Sequence, residues 1–125
     1  MKNSHFPFEV PDIVREKLEQ QDNRQEIICA DGFKMSVQAS RTHYCTPRIN
    51  GIENKYTEVE IGYPSRPEPL LKKYADSNGI YAYVPAIVVY NVLQKHGGMI
   101  GGELPYLDIE KSAGLMTDAF TGYPL

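Results

Sequence analysis

A chain of 125 residues, 42% hydrophobic and 23% charged, is long enough for one domain with a modest core and too ordinary in composition for wholesale disorder. Thirteen lysines and arginines against sixteen acidic residues give a formal net charge of -3, with the cations scattered, which excludes the phosphate-neutralising footprint of a non-specific nucleic-acid binder. Two cysteines are too few for a disulfide scaffold, and no apolar run approaches the roughly 18 residues of a membrane span.

"MKNSHFPFEV" lacks the apolar core of a secretion signal, so the expected setting is a reducing cytoplasm with Cys29 and Cys45 free. Residues 1–10 read as an extended lead-in. "PDIVREKLEQQ", from Pro11, reads as a short surface helix with Asp12 in its first turn and Ile13, Val14 and Leu18 as a narrow apolar stripe. Residues 26–30 and 33–39 are two β-prone runs flanking Asp31-Gly32, the dipeptide of a type I′ hairpin turn. In the second run Phe33, Met35, Val37 and Ala39 alternate with polar residues, which predicts one buried and one wet face.

A loop follows over 40–54, and then a strand over 56–63. The alternation there places Thr57, Val59, Ile61 and Tyr63 on the core side, with Tyr56, Glu58 and Glu60 outside. "PSRPEP" interrupts the sheet, because proline cannot donate to a ladder, and "LLKKYA" is long enough for one helical turn. "IYAYV" (80–84) is a fourth strand, with Tyr81 and Tyr83 on one side and Ala82 and Val84 on the other.

"PAIVVYNVLQKHGG" is the strongest helix in the sequence. Pro85 suits its first position, Ile87, Val88 and Val92 give an apolar face, and Lys95 and His96 favour the negative C-terminal end before the Gly97 stop. Residues 99–125 show no decisive period and are expected to form an arm packed on the same domain or on a second copy, a route to a homo-oligomer.

The predicted architecture is therefore α+β: a small antiparallel or mixed four-stranded sheet, the 85–96 helix on one face, and a short N-terminal helix. The chain divides into a lead-in and helix (1–24), a core (25–98) and the C-terminal arm (99–125), within one domain.

The chemically crowded segment is "RTHYCTPR", residues 41–48. Arg41 and Arg48 carry the donor forks that clamp phosphate or carboxylate, His43 exchanges protons near neutrality, and nearby cations would stabilise a Cys45 thiolate. The competing structural role has Tyr44 and Cys45 plugging the end of the core while the arginines pair with Glu58 or Glu60. Tyr81 and Tyr83 are candidates to extend a contact surface with Arg41, His43, Tyr44 and Arg48. Cys45 and His43 are the candidates for a hydrolytic pair, which requires a base within hydrogen-bond reach of the thiol.

Cys29, His43, Cys45 and His96 lack Cys-x-x-Cys or helical His spacing, so no metal is expected, and no motif calls for a cofactor. "GGMIGG" follows a helix rather than opening one and has no Lys-Ser/Thr ending, so it is no phosphate loop.

The blocks "ADGFKMSVQASRTHYCTPR" (30–48), "YTEVEIGYPS" (56–65) and "IYAYVPAIVVYNVLQKHGG" (80–98) occur in order. Together they resemble a group of short proteins encoded by bacteriophages and prophages. The resemblance covers roughly residues 27–98 and brings no residue roles with it. It implies expression in a bacterial cytoplasm and favours a protein that binds a host factor, such as one of an anti-phage defence system, by protein–protein contact. The alternatives are sequestration of a nucleotide-like ligand by the 41–48 loop and a small hydrolytic enzyme built on Cys45 and His43. Binding is favoured over catalysis.

Overall fold

The structure, a computed structural model, describes residues 24–116. The lead-in and the helix expected over 11–21 lie outside the described residues, as do residues 117–125.

Five strands form one antiparallel sheet: β1 (Ile27–Cys29), β2 (Lys34–Gln38), β3 (Glu58–Gly62), β4 (Tyr81–Pro85) and β5 (Met99–Gly101), in the order β4-β3-β2-β1-β5. A 3-10 helix (Pro69–Tyr74) lies between β3 and β4. Helix α1 (Ala86–Lys95) follows β4 directly, and α2 (Ile109–Met116) follows β5. The sheet thus has one strand more than the sequence predicts. The first eighteen residues of the expected arm supply that strand and a helix that packs against α1 on the same domain.

Alternation fixes which side of the sheet is buried. Ile27 and Cys29, Met35 and Val37, Val59 and Ile61, and Val84 project inward, where Val89, Val92 and Leu93 of α1 and Leu71 of the 3-10 helix meet them. Each fully buried aliphatic side chain in such a core is worth about 1.5–3 kcal/mol. The buried face of α1 is Ala86, Val89, Val92 and Leu93, with Ile87 and Val88 only half-buried. The helix is therefore turned from the expected orientation, because its first turn is fastened from both sides. Ala86 N–H donates to Thr57 O (2.8 Å), and Ile87 N–H donates to the buried Ser112 Oγ of α2 (3.0 Å). Pro85 is the N-cap and still closes β4, one position earlier than the sequence suggests.

The β1–β2 hairpin forms where predicted, with a different turn. Gly32 N–H donates to Cys29 O (2.9 Å), Cys29 N–H to Phe33 O (2.8 Å), and Gly32 alone in the turn has positive φ (92°). A type I′ turn needs two such residues. This is instead a type I turn followed by a left-handed glycine, the three-residue loop that also matches the sheet twist.

At the far end, α1 stops in a Schellman motif: Gly98 N–H donates to Leu93 O (2.8 Å) and Gly97 N–H to Gln94 O (3.2 Å). The hairpin turn docks on this helix end, with Asp31 N–H donating to His96 O (3.2 Å) and Ala30 N–H to Gly98 O (2.9 Å).

Two tyrosines depart from strict alternation. Tyr56 precedes β3 and is buried, its hydroxyl donating to Ile49 O (2.7 Å), whereas Tyr63 just after β3 turns outward at φ 54° and is 77% exposed. In β4 the register shifts by a bulge: Val59 faces Val84 and Ile61 faces Tyr81, so three steps of β4 span two of β3. Tyr83, inside that bulge at φ 52°, leaves the core face on which Tyr81 stays. The expectation that Tyr81 and Tyr83 share a side is thereby corrected.

Candidate functional site

The 41–48 loop runs from the end of β2 to the bridge between Thr46 and Glu58, at the rim of the sheet. It is tied down along its length. Cys45 Sγ donates to Ser40 O (3.0 Å) and Pro47 O (3.4 Å), Thr46 Oγ1 to Glu58 Oε1 (2.6 Å), and Tyr44 N–H to Glu60 Oε1 (3.0 Å). Burial pushes the Cys45 thiol up from its ordinary value, against the opposing pull of the Ser40 contact and the Arg48 charge. His43 Nδ1 pairs with Ser40 Oγ (2.7 Å), not with the thiol. A buried thiol held in its neutral form and lacking an aligned imidazole does not make a nucleophile. Among the described residues the Ser–His contact of this loop uses a serine that is 1% exposed and engaged in the turn by Thr42 N–H as well.

Cys45 is thus a plug, while its neighbours turn outward. Tyr44 is 44% exposed and Tyr83 39%, their ring centroids are 5.9 Å apart, and the Arg48 guanidinium lies 5.4 Å from the centre of the Tyr44 ring. The β4 bulge that separates Tyr83 from Tyr81 is what brings Tyr83 to Tyr44, with Tyr83 N–H donating to Tyr44 O (3.1 Å). Glu58 and Glu60 instead accept from Thr46 and the Tyr44 backbone, so the arginine–glutamate pairs weighed for the loop do not form among the described residues. Arg41 is anchored only through its backbone N–H, which donates to Asn50 Oδ1 (3.0 Å). Of the sequence candidates, the fold therefore gathers Tyr44, Arg48 and Tyr83 into one exposed cluster. It sends His43 to a cleft on the outer face of the sheet and Tyr81 against the core.

That cleft encloses about 380 Å³ and is lined by Arg24, Ser36, Gln38, His43, Glu60, Gly62, Tyr63 and Ile80. Arg24 is woven into its wall: its backbone N–H donates to Gln38 Oε1 (3.2 Å) and its guanidinium to Ala39 O (2.8 Å).

A second polar cluster lies at the opposite end of α1 and brings together residues that the sequence keeps far apart. His96 Nδ1 is 2.6 Å from Asp31 Oδ2, and His96 Nε2 is 2.6 Å from Glu68 Oε1. Glu68 Oε2 also accepts from Lys95 Nζ (2.9 Å) and from Leu70 N–H (2.9 Å), the latter capping the 3-10 helix. Arg66 donates to Asp31 (2.8 Å), and the imidazole stacks on Phe33 at 4.1 Å between centroids.

Desolvation pushes the Glu68 carboxyl up, but hydrogen bonds from Leu70, Lys95 and His96 and the Lys95 charge outweigh it and leave it below the usual range. The Phe33 N–H and the His96 contact likewise hold Asp31 low. The cluster is a clamp joining the hairpin turn, the proline-rich loop and the end of α1. The local half of this was visible in the sequence, where His96 suits the helix C-terminus; its partners were not. No group of three or more potential ligands among the described residues could hold a metal ion.

No family model, curated protein or solved structure matches this chain. Among the described residues, no helix is long and apolar enough to cross a membrane.

Proposed function

We propose that this chain is a small binding protein of phage or prophage origin, acting inside a bacterial host by contact with a host protein, with Tyr44, Arg48 and Tyr83 as its anchors. The observation that carries the reading is the exposed stack in which Arg48 lies over Tyr44 and Tyr44 meets Tyr83. Tyrosine and arginine are the residue types that concentrate binding energy at protein interfaces. A guanidinium already laid on an aromatic ring, above a loop held by Cys45 and Glu60, loses less freedom on docking than a free one. The resemblance of the ordered blocks over residues 27–98 to phage-encoded proteins is the support for a host target, a component of an anti-phage defence system.

The test is affinity capture from host lysate by the wild-type chain and by a Tyr44→Ser/Arg48→Ser variant of equal thermal stability. A protein retained by the wild type and lost with the variant supports the reading. Equal retention of the same proteins by both would remove these residues as anchors.

A further inference from the structure

The outer-face cleft has a chemistry of its own and uses neither Arg41 nor Arg48. Its floor is the pair Ser36–Gly62, directly opposite one another on β2 and β3. Gly62 contributes no side chain, and Ile80 takes up the space above it, its Cδ1 3.4 Å from where a Cβ would stand, so Ile80 forms the apolar wall on that side. Tyr63 lines the opening. It is a large aromatic, 77% exposed, held in a left-handed backbone conformation that non-glycine residues adopt at a cost.

The polar groups divide into spent and available ones. The Gln38 amide donates to Arg24 O (2.9 Å) and Ser36 Oγ (3.1 Å), and its oxygen accepts from Arg24 N–H (3.2 Å), so it is spent within the wall. Glu60 uses one carboxylate oxygen on Tyr44 N–H, and the other has no hydrogen-bond partner among the described residues. His43 uses Nδ1 on Ser40, and its Nε2 is likewise without a partner among the described residues. The Arg24 guanidinium in the wall is engaged with Ala39 O (2.8 Å), so the Glu60 oxygen is the group that selects a ligand, and a carboxylate oxygen selects an N–H donor. The volume of about 380 Å³ lies near the small end of the roughly 300–1,000 Å³ range of ligand sites, which suits a single ring system.

We propose that this cleft binds a small planar heteroaromatic ligand through its N–H donors, the chemistry of a nucleobase. The ring packs against Ile80 and Tyr63 beside Ser36, an N–H donates to Glu60, and His43 meets a second polar edge. This site adjoins the Tyr44–Arg48–Tyr83 surface and shares Glu60 with it through the Tyr44 N–H, whereas Tyr63 belongs to the cleft alone.

The experiment is an NMR titration of the full chain with guanosine, adenosine and cytidine, with ribose 5-phosphate as the arm that carries sugar and phosphate but no base. The expected result is saturable binding of at least one nucleoside, with amide shifts centred on Gly62 and Tyr63 and none from ribose 5-phosphate. Glu60→Gln and Tyr63→Leu should each weaken that binding at least tenfold. If Glu60→Gln disturbs the fold through its Tyr44 contact, the exposed Tyr63→Leu still reads the site. The proposal is overturned if no nucleoside gives saturable shifts at millimolar concentration, if ribose 5-phosphate binds as well, or if Tyr63→Leu leaves affinity within twofold of wild type.

Discussion

Replacing His96 by phenylalanine tests the polar clamp directly. The substitution keeps a ring stacked on Phe33 and removes the ring-nitrogen contacts to Asp31 and Glu68. Its main consequence falls on Glu68, whose side chain is 1% exposed and loses one partner while keeping Lys95 and Leu70 N–H. Breaking a buried pair costs about 3–5 kcal/mol, and an unsatisfied buried acceptor about 1–3 kcal/mol. Because Lys95 remains and its side chain is 46% exposed to water, the expected loss lies in the upper part of the second range, at about 2–3 kcal/mol. Against a total stability of about 5–15 kcal/mol this is a large fraction.

Urea unfolding at pH 7 followed by circular dichroism measures it. Adding Glu68→Gln to His96→Phe removes the stranded charge, so the double variant should lose less than the two single losses added together. A His96→Phe protein within about 0.5 kcal/mol of wild type would refute the reasoning, because that is the ordinary scatter of inconsequential surface changes.

The same clamp sets the acid limb of stability. The carboxyls of Glu68 and Asp31 are held lower in the folded state than in the unfolded chain. Their contribution is therefore fully present above the unfolded values of about 4.3 and 3.9 and is lost as pH falls through the lower folded values. Glu68→Gln should flatten that acid limb, read from urea midpoints between pH 2 and pH 6. Cys29 and Cys45 are buried and their thiols pushed up, so both should react with iodoacetamide far more slowly than free cysteine until the chain unfolds; rapid labelling of Cys45 in the native protein would restore it as a nucleophile candidate. Ser112→Ala strands the Ile87 N–H at the start of α1 and should cost about 1–2 kcal/mol by urea unfolding. Gly32 and Gly102 both have positive φ, but a Cβ at Gly32 meets nothing within 4 Å, whereas one at Gly102 overlaps the Glu26 carbonyl. Gly32→Ala should thus cost about 1 kcal/mol from backbone conformation alone, and Gly102→Ala clearly more, with faster hydrogen exchange in β5.

The local chemistry of the chain announced much of the fold. Asp31-Gly32 between alternating runs marks the hairpin, and Pro85 with the Gly97-Gly98 stop brackets α1 to within a residue. What escaped was set by distant partners. The three-residue β5 has no period to detect and exists because β1 offers it an edge. Helix α2 carried a signal that a closer reading would use: Asp108 Oδ1 accepts from Lys111 N–H (3.1 Å) as an N-cap does, although Gly114 weakens the helical pattern. Tyr83 broke the alternation through a bulge that only the pairing with β3 defines. The clamp joins Asp31 to His96 across 65 positions and His96 to Glu68 across 28, separations at which no spacing motif operates. The 41–48 loop was legible as crowded chemistry, but the inward turn of Cys45 and the outward turn of Tyr44 depend on contacts with Ser40 and Glu60.

The proposal that the rim cluster is a contact surface is tested most directly by hydrogen–deuterium exchange on the chain bound to a protein captured from host lysate. Protection concentrated in residues 41–48 and 81–84, and absent with the Tyr44→Ser/Arg48→Ser variant, is the predicted result. Protection confined to β5 or α2, with the rim exchanging as in the free protein, would contradict it.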